Sequence, residues 1–126
     1  LAGRRVLLVE DNEVNQLVAA AMLDTFGCEV TVVPNGKEAL VVLEEMVFDV
    51  VLMDCHMPVM DGFVATRRLL ETLGASAPPV IGLTASATTE DVDKCLAAGM
   101  VEVLTKPVTT QTLAVPLARW SGDNSA

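Results

Sequence analysis

"EVTVVPNGKEALVVLEEMVFDVVLMD", residues 29–54, holds two apolar runs separated by a longer segment with a different spacing. The runs at residues 29–33 and 49–53 are short and rich in valine, as strands buried on both faces are. Between them, Asn35-Gly36 opens a segment in which Ala39, Leu40, Val42 and Leu43 recur at three- and four-residue spacing. That spacing predicts a helix ending near Glu45. Strand, crossover helix and strand in this order make a parallel pair with the helix packed on one face.

The same alternation extends in both directions. Strands are expected at residues 5–10 (RVLLVE), 79–84 (PVIGLT) and 101–105 (VEVLT). A first helix starts at the cap-like Asn12, carries Val14, Leu17, Val18, Ala21 and Met22 on one face, and stops at Gly27. A third runs over residues 62–73 and stops at Gly74. The fourth follows Thr88 and Thr89, has Glu90 and Asp91 in its first turn, and ends at Gly99. The fifth starts near Thr109 and contains Pro116, which is expected to kink or shorten it. Five alternating units predict a doubly wound α/β domain around a five-stranded parallel sheet.

At 126 residues the chain suits one domain, expected over residues 1–120, with a polar, disordered tail at residues 121–126 and no helix-turn-helix module. The net charge of −9 opposes direct binding to nucleic acid, and no basic cluster exceeds the pairs Arg4-Arg5 and Arg67-Arg68. No apolar run approaches the roughly 18–20 residues of a membrane helix, and the N-terminus lacks a signal-peptide pattern, so a cytoplasmic domain without membrane contact is expected. Cys28, Cys55 and Cys95 lack metal-ligand spacing and lie in or beside apolar segments, where reduced thiols act as small hydrophobes.

In a doubly wound sheet, ligands bind beyond the carboxyl ends of the strands. Those ends carry Glu10 and Asp11, then Asp54, Thr84 and Lys106. Two like charges about 4 Å apart repel by about 4 kcal/mol at an effective dielectric of 20. Three convergent carboxylates therefore call for a hard cation, and Mg²⁺ fits, with Mn²⁺ as the alternative. One carboxylate could then act as a nucleophile toward a phosphoryl group, with Lys106 and the Thr84 hydroxyl on the remaining phosphoryl oxygens.

The motifs LLVEDN, LMDCHMPVMDG, IGLTAS and LTKP resemble the receiver domain of two-component response regulators, including the intervals of 30 residues from Asp54 to Thr84 and 22 from Thr84 to Lys106. The resemblance covers residues 5–117 and implies a flavodoxin-like fold of strand order 2-1-3-4-5. It implies Asp54 as acceptor of a phosphoryl group from a phosphohistidine, and Mg²⁺ held by Glu10, Asp11, Asp54 and the backbone carbonyl of His56. Thr84 and Lys106 would contact the phosphoryl group and transmit its presence, and the Lys106-Pro107 bond would be cis. The His56 side chain is expected to be partly exposed and to tune the access of water; Met53, Met57 and Met60 are expected to serve packing.

VEDNEVNQ with LMDCHMPVMDG looks most like the receivers attached to hybrid sensor histidine kinases, so a histidine kinase or a histidine phosphotransfer protein is the implied partner. Docking is expected beside the pocket, on Val14, Leu17 and Val18. The start at Leu1 agrees with a domain excised from a larger chain, which the resemblance allows to be the cytoplasmic part of a membrane-bound kinase; the alternative is a stand-alone regulator. Its chemistry would be limited to making and losing its own acyl phosphate. One departure stands out: Val103 occupies a position where many receivers carry a switching Tyr or Phe. A flavin carrier of the same sheet order is disfavoured, because EDNEVNQ is acidic where a flavin phosphate would sit. A phosphorylation-independent interaction module is disfavoured because every polar site residue is present.

Overall fold

The structure, a computed structural model, describes residues 2–57, 59–85 and 88–120. The expectation for residues 121–126 lies outside the described residues. In chain order the elements are β1 (Arg5–Val9), α1 (Glu13–Thr25), β2 (Glu29–Val33), α2 (Gly36–Glu45), β3 (Val50–Asp54), α3 (Gly62–Leu73), β4 (Val80–Thr84), α4 (Thr89–Ala98), β5 (Glu102–Thr105) and α5 (Thr110–Trp120). All strand pairs are parallel and the order is β2-β1-β3-β4-β5, the flavodoxin-like arrangement.

Side chains alternate across the sheet and divide the interior in two. Leu7, Val9, Val51 and Met53 pack with α2, α3 and α4 on one face. Val6, Leu8, Leu52 and Ile81 pack with Ala19 and Leu23 of α1 and Leu113 and Leu117 of α5 on the other. Four helices start where a side chain captures an otherwise unpaired N–H: Asn12, Asn35, Asp61 and Thr88 accept from Asn15, Glu38, Val64 and Asp91. Met53 and Met57 are buried and Met60 packs against the same core, as expected for space-filling residues.

On α1, Val14, Leu17 and Val18 are 66%, 73% and 48% exposed, as an apolar docking patch requires, while Ala19 and Leu23 are buried against the sheet. One expectation needs correction. Pro116 does not shorten α5, which continues through it to Trp120. An interior proline costs a helix about 3 kcal/mol, but fully burying Leu113 and Leu117 returns roughly 1.5–3 kcal/mol each. Packing onto the sheet therefore outweighs the lost hydrogen bond. The far end of α5 is fastened to β5, where Glu102 Oε1 accepts from Trp120 Nε1 at 2.7 Å and Arg119 Nη1 at 2.9 Å.

Candidate functional site

Because the strands are parallel, their carboxyl ends share one edge of the sheet. Glu10 follows β1, Asp54 closes β3, Thr84 closes β4 and Lys106 follows β5. Carboxylate oxygens of Glu10, Asp11 and Asp54 lie within 4.8 Å of one another. Lys106 Nζ joins them, 3.1 Å from Glu10 Oε1 and 3.0 Å from Asp54 Oδ2. Glu10 and Asp54 are buried and Asp11 is exposed, so the cluster has a closed floor and an open mouth.

Backbone donors fix the two buried carboxylates. The Asn12 N–H donates to Glu10 Oε2 and the His56 N–H to Asp54 Oδ1, each at 3.2 Å. Lys106 is anchored in turn by its own N–H, which donates to the Thr84 carbonyl at 2.7 Å; the Lys106-Pro107 peptide is cis. Thr84 is buried, opposite Thr105 in the β4–β5 register. His56 is exposed; its ring meets the edge of Phe63 at 5.8 Å, and Lys94 Nζ sits 5.0 Å above the Phe63 ring. The imidazole is not part of the carboxylate cluster.

Three carboxylates against one ammonium leave two negative charges in a partly buried pocket open on one side. Hard oxygen donors with that residual charge suit Mg²⁺, which binds through a few carboxylates and keeps waters. Cys55, although adjacent to Asp54, is not a suitable further ligand. Burial, then the contact with Cys95 and the nearby Asp54 charge, push its thiol well above the usual range against the pull of Lys106.

Lys106 titrates above the ordinary lysine range. Burial lowers it, but its hydrogen bonds to Asp54 and Glu10 and their negative charges together prevail. A raised lysine stabilises the fold fully below the unfolded-state value, about 10.4, and that contribution is lost as pH rises through the folded-state value. In metal-free protein, the urea-midpoint gap between wild type and Lys106→Met is therefore expected to be constant up to about pH 10 and to shrink above it. A gap unchanged at pH 11.5 would show that the ammonium contributes through packing alone.

The ion pairs of Lys106, the backbone clamps on Glu10 and Asp54, and the contact of Cys55 with Cys95 were not readable from the sequence. Each depends on how strands meet, and no spacing encodes it.

Residues 6–117 match the response regulator receiver domain family. The chain belongs to that family. This receiver is 45% identical to a stretch of hybrid signal transduction histidine kinase H of Dictyostelium discoideum, over 91% of the chain but only 9% of that kinase's length. It is similar in structure, with a TM-score of 0.88 and 45% identity, to the receiver domain of sensor histidine kinase PA1611 from Pseudomonas aeruginosa PAO1, whose crystal structure has a magnesium ion coordinated in the active site cleft. That match covers 96% of this chain and 99% of the other. A co-crystal structure of the Saccharomyces cerevisiae histidine phosphotransfer signaling protein Ypd1 with the receiver domain of Ssk1 also matches, at 28% identity and a TM-score of 0.87, over 95% of this chain and 90% of that one.

Proposed function

We propose that this receiver takes a phosphoryl group from a phosphohistidine onto Asp54, with Mg²⁺ held by Glu10, Asp11, Asp54 and the His56 carbonyl. The observation that carries this reading is the convergence of three carboxylates within 4.8 Å beside one lysine. The magnesium in the Pseudomonas receiver supports the choice of metal. When bound, Mg²⁺ would offset the negative charge of the phosphoryl oxygens and of Asp54 as they approach.

A carboxylate oxygen of Asp54 forms the new bond to phosphorus as the phosphorus–nitrogen bond to histidine breaks, and the electron pair leaves with the imidazole. Lys106 is shared between Asp54 and Glu10, so it can turn to a phosphoryl oxygen while Glu10 still holds it. The Thr84 hydroxyl serves a second phosphoryl oxygen. Val103 is half-buried opposite Gly82 and has no ring to rotate, so the response to phosphorylation runs through Thr84 and Lys106.

The donor protein docks on α1. Val14, Leu17 and Val18 form an exposed apolar strip, continuous with a groove of about 320 Å³ that Val18, Pro107 and Val108 line together with Glu10 and Lys106 of the site. Such a strip fits a partner helix that presents its phosphohistidine to the groove, and the Ypd1 complex supports a histidine phosphotransfer protein as that partner. The identities to hybrid kinases support a place within such a chain, on the cytoplasmic side, where reduced thiols persist.

Intact-mass spectrometry with two donors tests this reading. Acetyl phosphate and a phosphorylated histidine phosphotransfer protein are each expected to add one phosphoryl group, only with Mg²⁺ present. Leu17→Asp is expected to slow the protein donor at least about tenfold, the cost of one interface anchor, and to leave acetyl phosphate labelling unchanged. Metal binding without an adduct from either donor would favour a phosphorylation-independent module instead.

A further inference from the structure

Cys55 and Cys95 are 40 residues apart in sequence, yet their Sγ atoms are 3.3 Å apart. Cys55 directly follows Asp54 at the end of β3, and Cys95 lies on α4. Both are fully buried. Cys55 Sγ lies against the bare backbone of Gly82, where an added Cβ would be 2.5 Å from Met100 Sδ and 3.3 Å from that sulfur. The third thiol, Cys28, belongs to the cluster on the opposite face of the sheet.

We propose that Cys55 and Cys95 are a redox site, forming a reversible disulfide that staples α4 to the strand end carrying Asp54. Closing from 3.3 Å to a bond of about 2.0 Å needs little more than roughly 1 Å of movement, shared by two side chains. The chemistry balances with a hydroperoxide as oxidant. One thiol is oxidised to a sulfenic acid as hydrogen peroxide is reduced to water; the second thiol displaces hydroxide from that sulfur and a second water leaves. Two thiols thus lose two electrons and two protons, and a dithiol reductant restores them. The separation from Cys28 leaves a single intramolecular pairing. Because both thiols are buried, the oxidant enters when α4 opens, so the reaction is slow in the resting protein. Once formed, the bond removes movement of α4 relative to the residue that follows Asp54.

The test uses the folded chain without any phosphoryl donor, so it stands apart from the phosphotransfer reading. Overnight exposure to hydrogen peroxide is expected to remove the mass of two hydrogens, to yield a linked peptide containing Cys55 and Cys95, and to raise the melting midpoint by roughly 10 °C. Dithiothreitol is expected to reverse all three changes. Cys28→Ser is expected to keep the link; Cys95→Ser and Cys95→Ala, each checked by circular dichroism, are expected to lose it. Thiols that survive intact, oxygen added to single cysteines without a link, or a link through Cys28 would each overturn the proposal.

Discussion

Asp54→Asn is expected to take no phosphoryl group from acetyl phosphate or from a phosphohistidine protein, while keeping the wild-type circular dichroism spectrum. The substitution preserves side-chain volume in a residue that is 3% exposed at the end of a fully buried strand, so β3 keeps its packing. The amide oxygen can still accept from the His56 N–H, which now binds Asp54 Oδ1. What disappears is the anionic nucleophile, and removing a nucleophile costs more than about 10³-fold in rate. Lys106 keeps Glu10 as its partner, so the lysine stays in place and its loss does not confuse the result. One negative charge fewer in the pocket is also expected to weaken Mg²⁺, read separately by calorimetry. Labelling of the variant at the wild-type rate would remove Asp54 as acceptor, and peptide mapping would then show whether exposed Asp11 had taken its place.

The order of elements was legible in the sequence because two periods alternate cleanly along it. Runs such as residues 50–53 have no polar member on either face, whereas Ala39, Leu40, Val42 and Leu43 trace one side of a helix. Caps at Asn12, Asn35 and Thr88 announced three helix starts, and Gly99 announced one helix end. Periodicity does not say which apolar stripe meets the sheet. On α1 the stripe of larger side chains, Val14, Leu17 and Val18, faces outward, and the smaller Ala19 with Leu23 seats the helix, because a small residue lets a helix approach the sheet closely. Pro116 misleads for a related reason: local propensity argues against it, and the burial of its neighbours decides. At the site, residue types at strand ends singled out Glu10, Asp11, Asp54, Thr84 and Lys106 as candidates, and the structure brings the three carboxylates and the lysine together. The ion pairs between Lys106 and two carboxylates, and the meeting of Cys55 with Cys95, arise from distances across the sheet, which a linear pattern does not carry.

Gly62→Ala is expected to destabilise the receiver by roughly 1–3 kcal/mol, the range for overpacking a close-packed interior, and to weaken the site as well. Gly62 is the first residue of α3, and its N–H donates to the Cys55 carbonyl at 3.1 Å. A Cβ there would fall on the carbonyl oxygen of Asp54, with Cys55 Cα and Met53 Cγ each 3.0 Å away. Two of these three obstacles are backbone atoms in or directly after β3, which is buried along its whole length, so the start of α3 or the end of β3 has to move. Since Asp54 is the residue struck, a moved strand end shifts the carboxylate relative to Glu10 and Lys106. Gly74→Ala is the control: its added Cβ meets nothing, so only the backbone cost of a side chain at φ +54 and ψ −125 applies, roughly 1–3 kcal/mol. Urea midpoints and Mg²⁺ affinity measured on both variants separate the two effects. Gly74→Ala is expected to lose stability alone, and Gly62→Ala is expected to lose stability together with at least about tenfold in Mg²⁺ affinity, the scale on which disturbed support around metal ligands acts. Wild-type Mg²⁺ affinity in Gly62→Ala would show that α3 absorbs the whole displacement, and that the glycine serves the seating of the helix on β3 rather than the position of Asp54.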